Sequence, residues 1–82
     1  MKTIINLIIP AIGASYDVLV PGFMKIADLT PLLSSAVQEL SGDNYVSSGN
    51  ELLCHKETNQ LLIQECSLDD YKVQNGDHIL II

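Results

Sequence analysis

The sequence predicts an α+β fold: a mixed β-sheet with one main helix packed on one face, in the order β-β-α-β-β-β. Three observations lead there. Two β-branched runs, KTIINLII (residues 2–9) and YDVLV (residues 16–20), flank a short polar-and-Gly turn, which is a hairpin signal. Between Ile26 and Leu40 the apolar period changes to steps of three and four, the mark of a helix. The chain then returns to short apolar runs separated by turn residues, and finishes in HILII (residues 78–82).

Each element follows from its residues. Pro10 to Ser15 make the first turn, and Pro21-Gly22 ends the second strand because proline cannot donate to a ladder. Ile26, Leu29, Leu33, Val37 and Leu40 fall on one helical stripe, while Ser34, Gln38 and Ser41 fall largely off it. Pro31 leaves two starts open. Either Asp28 is the N-cap with Pro31 in the first turn, or Thr30 is the N-cap with Pro31 at the first helical position. Gly42 suits a left-handed helix end. A polar loop (residues 45–50) leads to a third strand at residues 51–56. A turn at 57–60 precedes a short fourth strand at 61–63. Ser67 caps a one-turn helix through Tyr71, with Asp69 and Asp70 near its positive end. Asn75-Gly76-Asp77 turns into the last strand.

Bulk properties narrow the function. Eighty-two residues, 48% hydrophobic and 17% charged, suit one small globular domain spanning 1–82. Ten acidic residues against four lysines and no arginine give a net charge of −6. That charge repels a phosphate backbone, so nucleic acid is not an expected partner. No apolar run is long enough to cross a bilayer, and Asn6 interrupts the N-terminal one, so neither membrane insertion nor a secretory signal is expected. Cys54 and Cys66 do not amount to a disulfide framework, and a cytoplasmic protein with two reduced thiols is the expectation.

The block SLDDYKVQNGDHILII (residues 67–82) resembles the ubiquitin pattern, in which Ser-Leu-x-Asp-Tyr leads through an apolar residue to a turn and a final strand. With YDVLVP (16–21), KIADL (25–29), QLLI (60–63) and LDDYKVQNGD (68–77), the chain is most similar to the YukD/EsaB-like proteins. These are small ubiquitin-like components of type VII (ESX-like) secretion systems in Gram-positive bacteria. The resemblance implies a ubiquitin-like β-grasp. It also implies a non-catalytic accessory on the cytosolic side, held near the membrane by the machinery's membrane-associated subunits. Independently of that likeness, Tyr71 reads as an interior tyrosine whose hydroxyl meets nearby backbone, with Leu68 and Val73 anchoring the crossover.

Chemistry finds little support. Conjugated modifiers and sulfur carriers of this fold end in a flexible Gly-Gly, whereas this sequence ends Leu80-Ile81-Ile82, so neither chemistry is expected. Cys54, His55, Cys66 and His78 match no zinc spacing, and Cys54 and His55 point to opposite faces of one strand. No cofactor is expected. A catalytic cysteine needs a base and a pocket, and Asp69-Asp70 is better explained by capping.

Surface remains. Strand alternation directs Thr3, Ile5, Leu7, Tyr16, Val18, Val20, Leu53, Ile79 and Ile81 toward the helix. Ile4, Ile8, Leu19, Leu52, Cys54, Leu80 and Ile82 then face outward, where strands ordinarily turn polar. Lys2, Asn6, Asp17 and His78 are interspersed among them. Such an aliphatic patch predicts a protein-binding surface, with a homodimer as the competing use.

Overall fold

The computed structural model describes residues 2–82. Strands β1 (Lys2–Ile9) and β2 (Ala14–Pro21) form a hairpin across a 3₁₀ turn at Pro10–Ile12. Helix α1 (Ile26–Leu40) follows, then β3 (Leu53–His55), β4 (Gln60–Leu61), a 3₁₀ turn at Asp69–Tyr71 and β5 (His78–Ile81). The sheet order is β2-β1-β5-β3-β4. β1 and β5 pair in parallel and the other neighbours are antiparallel, which makes the sheet mixed. Pro21 is tolerated because β2 lies at an edge.

Alternation along the strands sets the core. Ile5, Leu7 and Ile9 of β1, Val20 of β2, Leu53 of β3 and Ile79 and Ile81 of β5 are buried. They pack with Ile26, Leu29, Leu33 and Val37 of α1. Burying each such side chain contributes about 1.5–3 kcal/mol. Leu62, Leu68 and Val73 close the end of the core, and Tyr71 packs against it while its hydroxyl accepts the Ile63 N–H at 2.9 Å. Thr3, Tyr16 and Val18 lie on the same side.

The helix departs from expectation at its start. It begins at Ile26, after Lys25, and neither Asp28 nor Thr30 is the cap. Backbone does the capping. The Ile26 N–H donates to the Cys66 carbonyl at 2.7 Å, and the Ala27 N–H to the Gln64 carbonyl at 3.0 Å. Unpaired donors of a first turn need some acceptor, and a neighbouring loop serves as well as a side chain. Thr30 instead donates its hydroxyl to the Ile26 carbonyl at 2.8 Å. Pro31 therefore lies inside the helix.

Leu40, on the apolar stripe, and Ser34, off it, exchange roles. Leu40 is exposed, whereas Ser34 is fully buried. Its hydroxyl is satisfied by the Pro31 carbonyl at 3.2 Å and the Ser47 hydroxyl at 2.9 Å, which fastens the 45–50 loop to the helix. Gly42 takes the left-handed conformation foreseen for the helix end, and Asp43 shares it. At 67–70 the cap is reciprocal: the Asp70 N–H donates to the Ser67 hydroxyl, and the Ser67 N–H donates to the Asp70 carboxylate.

The third and fourth strands are shorter than expected. β3 loses Glu51 because that side chain is 7% exposed and works as a loop anchor. Its carboxylate accepts the Ser48 N–H at 2.6 Å, the Gly49 N–H at 3.1 Å and the Tyr45 hydroxyl at 2.8 Å. Burial works to raise the Glu51 carboxyl, but the Ser48 and Tyr45 hydrogen bonds outweigh it and bring the pKa to about 2. Burial, and then the same carboxylate, push Tyr45 up to about 12. β4 covers Gln60–Leu61 and not residues 61–63, because Leu62 leaves the strand to enter the core.

Candidate functional site

The face of the sheet away from α1 carries the seven residues expected there. Ile4, Leu19, Leu52 and Ile82 are exposed, while Ile8, Cys54 and Leu80 are half-buried between neighbouring strands. Register decides which of them meet. Ser15 pairs with Ile8, Ile8 with Leu80, Leu80 with Cys54 and Cys54 with Leu61. Directly paired residues point to the same face and touch. One row, Ile8–Leu80–Cys54–Leu61, thus runs across four strands. Leu52 and Ile82 extend it, exchanging two 2.9 Å backbone hydrogen bonds with each other.

Ile4 and Leu19 stand apart. They pair with each other, but the next outward row is polar: Asp17 pairs with Asn6, and Asn6 with His78. The Asn6 amide donates to the Asp17 carboxylate at 3.1 Å. Ile4 and Ile8 are four residues apart on one strand, so about 13 Å separates them across that row. The aliphatic set is therefore two clusters, the larger formed by Ile8, Leu80, Cys54, Leu61, Leu52 and Ile82. Leu61, 54% exposed, is the member that sequence reasoning missed. Finding it requires the β3–β4 register, which no local pattern in a two-residue strand reveals. Phe23, Leu32, Leu40, Val46 and Ile63 are exposed as well, but they belong to turns, helix and loops and not to these rows.

The residues weighed for chemistry separate. Cys54 belongs to the outward row and Cys66 to the loop that caps α1, and both are free thiols. His55 is buried on the opposite face from Cys54. Its Nε2 lies 2.9 Å from Asp77 Oδ2, and its Nδ1 lies 3.0 Å from the Thr58 hydroxyl. His78 Nδ1 lies 2.6 Å from Glu57 Oε2. Partial burial works to raise Glu57, but the His78 ring and N–H outweigh it and hold the carboxyl at about 2. His55 and His78 thus come together through Glu57 and Asp77, two turn residues that no spacing rule had joined to them. A shallow groove of about 400 Å³ between α1 and the 47–52 loop is lined by Thr30, Ser34, Ser47 and Glu51, among others. The Ser34 and Ser47 hydroxyls are bonded to each other and Glu51 is occupied by the loop, so this lining offers no nucleophile with a free base. No helix among the described residues is long and apolar enough to cross a membrane.

No family model matches the chain, and no curated protein matches it in sequence. Solved structures do. The ubiquitin-like domain of EccD5 from Mycobacterium xenopi superposes with a TM-score of 0.73 at 16% identity, over 100% of this chain and 93% of that one. The ubiquitin-like domain of the Mycobacterium tuberculosis type VII secretion system protein EccD1 gives 0.68 at 16% identity, over 100% and 98%. The UBL domain of Plasmodium falciparum Dsk2 gives 0.71 at 17% identity, over the whole of both chains. The fold is a ubiquitin-like β-grasp, as the terminal block implied.

Proposed function

We propose that this chain is a non-catalytic protein-interaction component of a type VII secretion machinery. It binds a cytosolic part of the machinery's membrane-associated subunits through the row Ile8–Leu80–Cys54–Leu61 with Leu52 and Ile82. The observation that carries this reading is the row itself. An outward strand face normally alternates to polar residues, and here an aliphatic strip crosses four strands and continues past them. One of the structural likenesses, EccD1, is a ubiquitin-like domain whose name places it in a type VII secretion system, which supports the choice of partner. The pieces YDVLVP, KIADL, QLLI and LDDYKVQNGD support a narrower reading as a YukD/EsaB-like protein of a Gram-positive bacterium, working in the cytoplasm and reaching the membrane through its partner.

An amide-resolved NMR titration with the cytosolic regions of the type VII membrane subunits tests this. The expected result is a set of shifts centred on residues 8, 52, 54, 61, 80 and 82. Shifts confined to α1 or to the Phe23 turn, or no shifts with any subunit, contradict it. Light scattering of the isolated chain distinguishes the other occupant, a second copy on the same row.

A further inference from the structure

The strongest arrangement outside the sheet face is the cluster at the rim where β3 ends and β5 begins. β3 delivers His55, and the turn after it delivers Glu57. Asp77 and His78 arrive from the turn before β5 and its first residue, some twenty positions later in the chain. His55 Nε2 is 2.9 Å from Asp77 Oδ2 and 3.5 Å from Glu57 Oε1. Donor atoms of these three residues all lie within 4.8 Å of one another. The second imidazole, His78, meets Glu57 from the solvent side.

We propose that His55, Glu57 and Asp77 form a binding site for a divalent transition metal, with zinc the fitting ion and His78, which holds Glu57 from the solvent side, as the nearest further donor. Three features of the cluster argue for this.

The donor chemistry is right. An imidazole with two carboxylates suits a borderline ion such as zinc, whereas calcium takes six to eight oxygens and magnesium keeps an octahedral oxygen shell. Bonds of about 2.0–2.1 Å in a tetrahedron put ligand atoms about 3.4 Å apart. The 2.9 and 3.5 Å separations at His55 Nε2 bracket that value, and the three donors all lie within 4.8 Å of one another.

The donor residues are fixed in place by further hydrogen bonds, some of them to the same oxygens that face His55. The His55 Nδ1 side faces the Thr58 hydroxyl, which accepts the ring N–H in the Nδ1–H tautomer that leaves the Nε2 lone pair free for a metal. The Gln74 N–H donates to Asp77 Oδ2 at 2.9 Å. The His78 N–H donates to both oxygens of Glu57 at 2.9 and 3.1 Å.

Among the described residues, the two carboxylates have no charge partner other than these histidines. Neither carboxylate is paired with a lysine there, and every ion pair found among those residues involves one of these two histidines. With neutral imidazoles, two negative charges meet at one point, beside a histidine that is 3% exposed. The cluster opens outward through Glu57 (37%) and His78 (42%), which gives an ion a way in.

Zinc there fastens the β3–β4 turn to the start of β5, holding the edge strand that carries Leu61. The chain's spacing hid the site because two donors come from turns and the two histidines are 23 positions apart (78 − 55).

Isothermal titration with zinc chloride at about pH 7.5, with the thiols kept reduced, tests the proposal on the intact protein. We expect one equivalent bound with a dissociation constant of about 10 μM or tighter, and a rise in Tm of about 5 °C or more at saturating metal. The double variant Glu57→Gln/His78→Ala alters only partly exposed side chains, and it weakens binding by at least about tenfold. Cys54→Ser/Cys66→Ser leaves binding intact. His55→Gln abolishes it, and should that buried change fail to fold, the exposed double variant still decides. Absence of binding up to about 1 mM zinc, binding untouched by Glu57→Gln/His78→Ala, or binding lost with the cysteines overturns the proposal.

Discussion

A Glu51→Gln substitution leaves the Tyr45 hydroxyl and the Ser48 and Gly49 N–H groups facing a neutral acceptor at a position only 7% exposed. Hydrogen bonds to a charged group contribute about 1.5–3 kcal/mol, so urea denaturation at neutral pH is expected to report a loss in that range. The pH dependence has a definite sign. The folded carboxyl titrates near 2 against an ordinary 4.5, so the ionised form is favoured by folding. Its contribution, about 3 kcal/mol at most, is complete above pH ~4.5 and lost as pH falls toward 2. The glutamine variant should show a flatter stability curve over that window, and an unchanged curve would assign the acid sensitivity elsewhere. Tyr71→Phe orphans the Ile63 N–H and is expected to cost about 1 kcal/mol by the same assay. Tyr71 was legible in the sequence because an interior phenol must find a partner. Glu51 was not, since a carboxylate preceding LLCH reads as a strand residue until the loop's N–H groups are seen converging on it.

At the scale of elements, α1 carries the clearest departure from local rules. Pro31 sits at the sixth helical residue, where it removes the donor that would reach the Ala27 carbonyl. Interior proline is disfavoured by about 3 kcal/mol relative to alanine, partly offset by the entropy it removes from the unfolded chain. Pro31→Ala is therefore expected to raise stability by about 1–2 kcal/mol, seen as a higher Tm. A lower Tm would mean that Pro31 is packed to advantage. The helix bounds were readable from the 26–40 periodicity, but its cap was not. Capping comes from carbonyls of Gln64 and Cys66, far along the chain, and sequence reasoning searched only for a nearby side chain. For the same reason Ser34 was read as a solvent residue, although Ser47 takes its hydroxyl into the interior.

Over the whole molecule, alternation was enough to separate the two faces of the sheet. Every residue assigned to the helix side is buried or half-buried, and Ile4, Leu19, Leu52 and Ile82 are exposed as the outward set requires. What alternation does not supply is register. The parallel β1–β5 pairing sets Ile8 beside Leu80 and inserts the Asn6–His78 row between Ile8 and Ile4. A double change at Ile4 and Leu80 would therefore mix two clusters, and Leu80, between β1 and β3, is too enclosed for a charge without risk to the fold. Leu52 and Leu61 are better probes, being 40% and 54% exposed at one end of the row. The most direct measurement is the affinity of the type VII membrane subunits' cytosolic regions for three forms of this chain by isothermal titration. These are the native protein, Leu52→Asp/Leu61→Asp, and Ile4→Asp/Leu19→Asp, each checked for an unchanged circular dichroism spectrum. Losing two apolar anchors is expected to weaken binding by at least about 100-fold, or ~2.7 kcal/mol, for the first pair, with less than about threefold for the second. Equal losses for both pairs, or undiminished binding by Leu52→Asp/Leu61→Asp, would contradict the assignment of the row as the partner surface.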